Sequence, residues 1–298
     1  MDFHTYIHAV GTGPKSNRDL TLEEAEDMMT QMLEQSVYPE QIAAFLLGWR
    51  LKPETRDEFV GALQACDKKI KHQHVTDSLE LGYPFDGKAK NPYIFPLVAE
   101  VLQAHGLNLV LTGDELLPAK NGITIKDIAT AVDMPQNIHY FDRKAYIPEL
   151  HELTTIRQRL GLRTGLTTIE KLPRIAQSDY AITGVFHKPY VKKYVDIFGD
   201  RYKRFALIQG NEGTPELFSK GRLWIAKEGE VEEFIIDPEH YGIHYNKSWD
   251  EISLDSSLQQ LQEPSDEYLK LAKLNAAVYL FVTEKAKSVD DAFAMVNG

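Results

Sequence analysis

An α/β protein, with a small N-terminal helical bundle leading into a larger domain on a mostly parallel sheet, is the fold class this sequence predicts. Three observations carry that reading. The first 70 or so residues show only helical spacing of apolar positions, closed by capping signals. From residue 76 onward, short apolar strands alternate with amphipathic helices, the rhythm of a parallel sheet with helical crossovers. Near the end, "RLWIAKEGEVEEFII" breaks the rhythm with two strands around a tight turn, which predicts an antiparallel edge.

The elements follow in order. Thr21-Leu-Glu-Glu24 is a capping box, in which hydroxyl and carboxylate satisfy each other's backbone amides, and Ala25, Met28, Met29, Met32 and Leu33 then recur at helical spacing. A second helix runs through "PEQIAAFLLGWRL" and stops before Pro53. Thr55-Arg-Asp-Glu58 is another capping box, with Phe59, Ala62, Leu63 and Cys66 on one face. The stretch "CDKKIKHQHVTD" reads as a linker, so domains are expected at 1–72 and 73–298. "SLELGY" reads as a strand, "NPYIFPLVAEVLQAHG" as a helix from Pro92, and "LNLVLTG" as a strand. "TIKDIATAVDM" follows as a helix, "NIHYFD" as a strand and "PELHELTTIRQRLGL" as a helix. "DYAITGVF" and "RFALIQG" are buried strands, and "DEYLKLAKLNAAVYLFVTEKAK" is a long closing helix.

Composition limits the function classes. The chain has 298 residues, 43% hydrophobic and 26% charged, as in a soluble globular protein. No apolar run approaches the roughly 20 residues of a membrane span, and "MDFHTYIHAVGTG" lacks the form of a signal peptide. A single cysteine, Cys66, excludes an internal disulfide and points to a cytoplasmic location. The net charge of −11 argues against a nucleic-acid binder that is basic all over.

Ligands of such sheets gather at the carboxyl ends of strands, which directs attention to "GYPFDGKAKN", "LTGDELLPAKNG" and "LIQGNEGTPELFS". Here a resemblance enters. "AAFLLGWRLKPETRDEFVGAL", "IRQRLGLRT", "GNEGTPELFSKGRLWIAKEGEVEEFIIDPEHYGI" and the closing helix resemble the anthranilate phosphoribosyltransferases and the related pyrimidine nucleoside phosphorylases, over nearly the whole chain. "GTGPKSNRDLT" is similar to a divergent, YbiB-like branch associated with nucleic-acid binding. The resemblance implies the nucleoside phosphorylase and phosphoribosyltransferase fold, and a homodimer made by the N-terminal bundle.

It also implies which positions to compare. The family's pyrophosphate loop, Gly-Thr-Gly-Gly-Asp-Gly, falls on Gly82, Tyr83, Pro84, Phe85, Asp86 and Gly87. Tyr83 and Phe85 are bulky where backbone must approach an anion, and Pro84 has no amide hydrogen. Lys88 and Lys90 are expected to restore some anion affinity by charge, and Asn91 survives from the family's Asn-x-Ser-Thr. In the second loop, Leu111 and Glu115 stand where the family has a lysine and an arginine, and the adjacent carboxylates Asp114 and Glu115 would repel pyrophosphate. Lys120 and Gly122 match the family's Lys-Ser-Gly. In the third, Pro215-Glu216 replaces the Asp-Glu metal pair. No metal site or cofactor is expected, with magnesium retained only if the chain is an enzyme. Arg157 falls on the family arginine that binds the aromatic substrate's carboxylate, or else pairs with a neighbouring acid.

One clue is independent of the resemblance. Residues 143–204 hold thirteen Lys and Arg against six Asp and Glu, a net of +7 in an acidic chain. Arg159, Arg163, Lys188, Lys192, Lys193, Arg201, Lys203 and Arg204 are the candidate nucleic-acid contacts, with Tyr190, Tyr194 and Tyr202 among them as stacking platforms. The competing reading makes them solvated faces paired with acids elsewhere. His72-x-His74 and His240-x3-His244 lack accompanying ligands and read as solvated or core histidines. Two function classes follow: a dimeric binder of single-stranded DNA or RNA or another polyanion, or a glycosyl or phosphoribosyl transferase acting on an acceptor other than anthranilate, with Gly82, Asp86, Gly87, Lys88, Asn91, Lys120 and Arg157 as its anion and substrate contacts.

Overall fold

The computed structural model describes residues 1–298. Four helices open the chain: α1 (Phe3–Gly11), α2 (Leu22–Leu33), α3 (Pro39–Leu51) and α4 (Arg56–Asp67). Both capping boxes form. Thr21 and Glu24 cap α2, and Thr55 and Glu58 cap α4. Glu58 does more than cap: fully buried, its carboxylate accepts from Trp49 Nε1 and from the Leu20 amide, both at 2.9 Å, and pairs with Lys52 Nζ at 2.9 Å. One carboxylate thus ties α3, α4 and the entry to α2 together. Gly61 allows α2 and α4 to touch, since a Cβ there would lie 2.2 Å from the Leu22 carbonyl oxygen. Cys66 is buried in α4, and burial pushes its thiol up to about 12.

The sheet follows. Its strands are β1 (Ser78–Gly82), β2 (Asn108–Gly113), β3 (Ile138–Asp142), β4 (Tyr180–Gly184), β5 (Arg204–Ile208), β6 (Gly221–Lys227) and β7 (Glu230–Ile236), in the order β3-β2-β1-β4-β5-β6-β7. The first five are parallel, and β6 and β7 are antiparallel at the edge expected from "KEGE", where Glu228 and Gly229 both take positive φ. Between the strands lie α5 (Phe95–Gln103), α6 (Ile125–Ala131), α7 (Arg143–Tyr146), α8 (Pro148–Glu152), α9 (Thr154–Leu160), α10 (Leu166–Ile169) and α11 (Pro189–Phe198), and α12 (Leu254–Gln262), α13 (Asp266–Val282) and α14 (Val289–Met295) close the chain.

Both sheet faces are covered, so the parallel strands are apolar on both sides. Phe205 and Leu207 pack with the N-terminal bundle, and Ala206 and Ile208 with α5 and α13. Two expectations are corrected. The helix expected from Pro92 begins at Phe95, because residues 92–94 are spent in the approach to a buried carboxylate described below. The helix expected over "PELHELTTIRQRLGL" is split into α8 and α9. The helical layer also recruits a second segment beyond residue 72, since α9 packs on α3 and α10 on α4. No helix is long and apolar enough to cross a membrane.

Candidate functional site

The carboxyl ends of β1, β2, β4 and β5 meet the bundle across a cleft of about 710 Å³. Asp86, Lys120, Arg163 and Glu212 line it together with Arg50 from the bundle. The sequence singles out Asp86, Lys120 and Arg163; Arg50 it misses, because only the tertiary fold brings α3 to the sheet.

The β1 loop turns its bulky residues inward. Tyr83 and Phe85 are 2% and 4% exposed, and the Arg143 guanidinium stacks 4.7 Å from the Phe85 ring centre. Gly87 has φ +74°, and a Cβ there would lie 2.5 Å from the Ile123 carbonyl oxygen, so this turn requires glycine. Gly82 is equally confined, with Thr183 2.8 Å from where its Cβ would be. These glycines serve packing between loops.

The backbone amides that follow are not free. Glu212, held at φ +53°, directs its carboxylate onto the amides of Ala89 (2.7 Å), Lys90 (3.3 Å) and Asn91 (3.3 Å). Glu216 accepts from the amides of Ile94 (2.9 Å) and Phe95 (3.1 Å) at the start of α5, and from the Tyr83 hydroxyl at 3.1 Å. Two consecutive amide clusters are therefore each occupied by a carboxylate from the β5–β6 loop.

The candidate cations are engaged in the same way. Lys88 is not a surface charge: it is fully buried, 2.6 Å from Glu216 and 2.8 Å from the Pro92 carbonyl, and burial lowers its pKa despite the carboxylate. The expectation that Lys88 restores anion affinity is thus corrected, because its ammonium is enclosed with a counter-ion. Asn91 exchanges two hydrogen bonds with the Ser248 backbone, at 2.9 and 3.2 Å. Lys120 donates to the Glu212 carbonyl at 2.9 Å and lies 3.4 Å from Asp86, and burial lowers its pKa. Asp86 takes Arg163 through Nε at 2.8 Å and through Nη2.

The two adjacent acids of the second loop are also neutralised. Asp114 is bonded by Arg143 and by His151 Nδ1 at 2.7 Å, and Glu115 by Lys126 at 2.7 Å, so neither presents a free charge. Arg157 is 1% exposed and forks onto Glu170 at 2.5 and 3.0 Å. Its expected role toward a substrate carboxylate is corrected: of the two readings, the internal pair is the one formed. The same Glu170 receives Arg143 at 2.5 Å.

The basic segment is corrected as well. Lys188 pairs with Glu233 (2.8 Å), Lys192 with Asp196 (2.7 Å), Lys193 with Glu54 (2.9 Å), Arg201 with Asp67 (2.7 Å) and Lys203 with Glu284 (2.7 Å). Arg204 is buried and donates to the Phe281 carbonyl at 2.7 Å. Most partners come from outside the segment, which is how a net of +7 in sequence becomes a largely compensated surface. Arg159 is exposed and has no carboxylate partner. Of the three tyrosines, Tyr202 is buried and donates to Glu80 at 2.9 Å, Tyr194 is half-buried, and Tyr190 is 51% exposed at the cleft beside Phe186 at 53%.

Comparison with known proteins places this geometry. Residues 4–69 match the glycosyl transferase family helical bundle domain. The anthranilate phosphoribosyltransferase of Petrotoga mobilis is 25% identical over 334 residues, covering 97% of this chain and 90% of that protein. The chain is similar to the anthranilate phosphoribosyltransferases over nearly its whole length. An uncharacterized protein of Aquifex aeolicus is 28% identical over 290 residues, covering 94% of this chain and 93% of that one. Among solved structures, the Saccharomyces cerevisiae anthranilate phosphoribosyltransferase in complex with PRPP and Mg superposes with a TM-score of 0.77 at 14% identity, covering 99% of this chain and 92% of that one. The Thermus thermophilus enzyme gives 0.75 at 19% identity, covering 99% and 93%. At these identities the structural matches speak for the fold.

Proposed function

We propose that this protein is a dimeric anion binder of the anthranilate phosphoribosyltransferase fold that has given up magnesium-dependent phosphoribosyl transfer. The observation that supports this most is the pair Glu212 and Glu216 on the backbone amides of residues 89–91 and 94–95. A pyrophosphate entering there meets two carboxylates already in place, and like charges at close range in a dry site repel by several kcal/mol. Magnesium does not fit either. Pro215 has no ligand atom on its side chain, and Glu216 is committed to Lys88, Tyr83 and two amides.

The anion is received in the cleft, and the ligand class is single-stranded nucleic acid or a similar polyanion. Arg50 and Arg163 line the cleft, Arg50 has no carboxylate partner, Arg159 is exposed without one on α9, which packs on α3, and Phe186 and Tyr190 offer exposed aromatic faces at the same cleft. The patch is narrower than residues 143–204 as a whole. Residues 1–72 form the dimerisation domain, supported by Leu47 and Leu51, which lie one helical turn apart on α3 and are 38% and 74% exposed. Residues 73–298 form the α/β domain, and the site of action is the cytoplasm. The alternative, transfer of a glycosyl or phosphoribosyl group to another acceptor, draws on Lys120 and Asp86, which line the cleft.

Pyrophosphate release from phosphoribosyl pyrophosphate with magnesium, across a panel of nitrogenous acceptors, separates the two. No release, together with oligonucleotide affinity that falls with salt at a log–log slope of about −0.7 per phosphate and is lost in R50E/R159E, is the expected outcome. Release with any acceptor, or oligonucleotide binding unaffected by R50E/R159E, contradicts the proposal.

A further inference from the structure

We infer that the inner wall of this cleft is a pocket for one phosphoryl group, built on Lys171 and Thr164. The inference rests on the cleft being the anion site and adds the chemistry recognised there.

Three lysines are buried in this protein: Lys52, Lys88 and Lys171. Lys52 has Asp19 at 2.7 Å and Glu58 at 2.9 Å, and Lys88 has Glu216 at 2.6 Å. Lys171 is 7% exposed and has no carboxylate within ion-pair distance; its Nζ lies 3.3 Å from the Tyr194 hydroxyl and 5.3 Å from that ring's centre. A buried ammonium without a counter-ion is costly, and the chain supplies one in the other two cases. The neighbouring Glu170 does not serve, since both its oxygens are taken by Arg143 and Arg157.

Thr164 lines the same cleft and is 5% exposed, with its Oγ1 lacking any hydrogen-bond partner. The cleft's acids are spoken for: Asp86 by Arg163 and Lys120, Glu54 by Lys193, and Glu212 by the amides of 89–91. A ligand that satisfies both Lys171 and Thr164 needs several acceptor oxygens and negative charge, the description of a phosphoryl group. The volume of about 710 Å³ suits a mononucleotide, and Phe186 and Tyr190 could stack on its base. A free nucleotide and a nucleic-acid strand carry the same group.

The test titrates wild type, K171M, K171R and T164V by calorimetry with adenosine 5′-monophosphate, with adenosine, and with a single-stranded oligothymidylate. Folding is checked by circular dichroism. Saturable binding that weakens at least about tenfold in K171M and several-fold in T164V, and is kept within about threefold in K171R, is expected. Adenosine should show no dependence on residue 171. The pattern with the monophosphate identifies a free nucleotide as the source, and the pattern with the oligomer alone identifies a strand; each supports the pocket. Absence of saturable binding to both overturns it, as does equal affinity of wild type, K171M and T164V. Should K171M not fold, T164V and K171R decide by the same criteria. Pyrophosphate release in the transfer assay would sink the reading of the occupied amides and leave this titration standing. Affinity indifferent to Lys171 would sink the pocket alone.

Discussion

Lys88 Nζ lies 2.6 Å from the Glu216 carboxylate, and neither side chain is exposed. A pair of this kind is costly to bury and more costly to break, because removing one partner strands the other. K88M is therefore expected to lose about 3–5 kcal/mol of stability in urea denaturation, and E216Q a comparable amount. The double variant K88M/E216Q should lose less than the two single losses added together, since no charge is left uncompensated. Additive losses would mean that the two groups are not coupled.

Glu212 fills the amides of residues 89–91 from a residue at φ +53°. E212A should cost about 1–3 kcal/mol, since two half-buried amides and one exposed amide lose their acceptor. It should also open the amides to solution anions, so that inorganic phosphate raises the melting temperature of E212A more than that of wild type. Equal responses would show that the amides are not an anion cradle.

Glu80 sits in β1 at 1% exposure, and burial pushes its carboxyl up to about 7, against hydrogen bonds from Tyr202 and the Arg174 amide that lower it. The unfolded chain ionises this group near its ordinary 4.5, whereas the native state holds the proton until about 7. Stability from this group accordingly falls as pH rises through that window and levels off above it, by about 3 kcal/mol in all. E80Q should gain relative to wild type between about pH 5 and about pH 8 in urea midpoints. A difference that does not change with pH would contradict the assignment.

Gly61 brings α2 and α4 into backbone contact. G61A should destabilise the bundle by about 1–3 kcal/mol through overpacking, despite alanine's better helix propensity. A stabilised G61A would mean that the helices part without cost.

Local signals in the sequence reached the structure intact. The capping boxes at Thr21 and Thr55, the strand–helix alternation and the "KEGE" hairpin are decided by neighbours within four residues, and they form as expected. The loops that resemble a phosphate site were legible as altered, with Tyr83 and Phe85 too large and Pro215 without a ligand atom. The partners that these loops take in the fold were not legible. Glu216 reaches Lys88 from 128 residues away, and Arg201 finds Asp67 across 134. Such partners are set by the sheet order, so a charge count over residues 143–204 reports a cationic segment where the folded surface is mostly compensated. Lys171 is the converse. Its sequence neighbour Glu170 turns to two arginines and leaves the lysine without a carboxylate.

The central claim is that the chain's own carboxylates stand where a transferase would hold pyrophosphate and metal. Fluorescence-detected consumption of anthranilate in the presence of phosphoribosyl pyrophosphate and magnesium tests it most directly. The expected result is no consumption above the protein-free control. Turnover at about 1 per second or faster, within the ordinary enzymatic range, would contradict it.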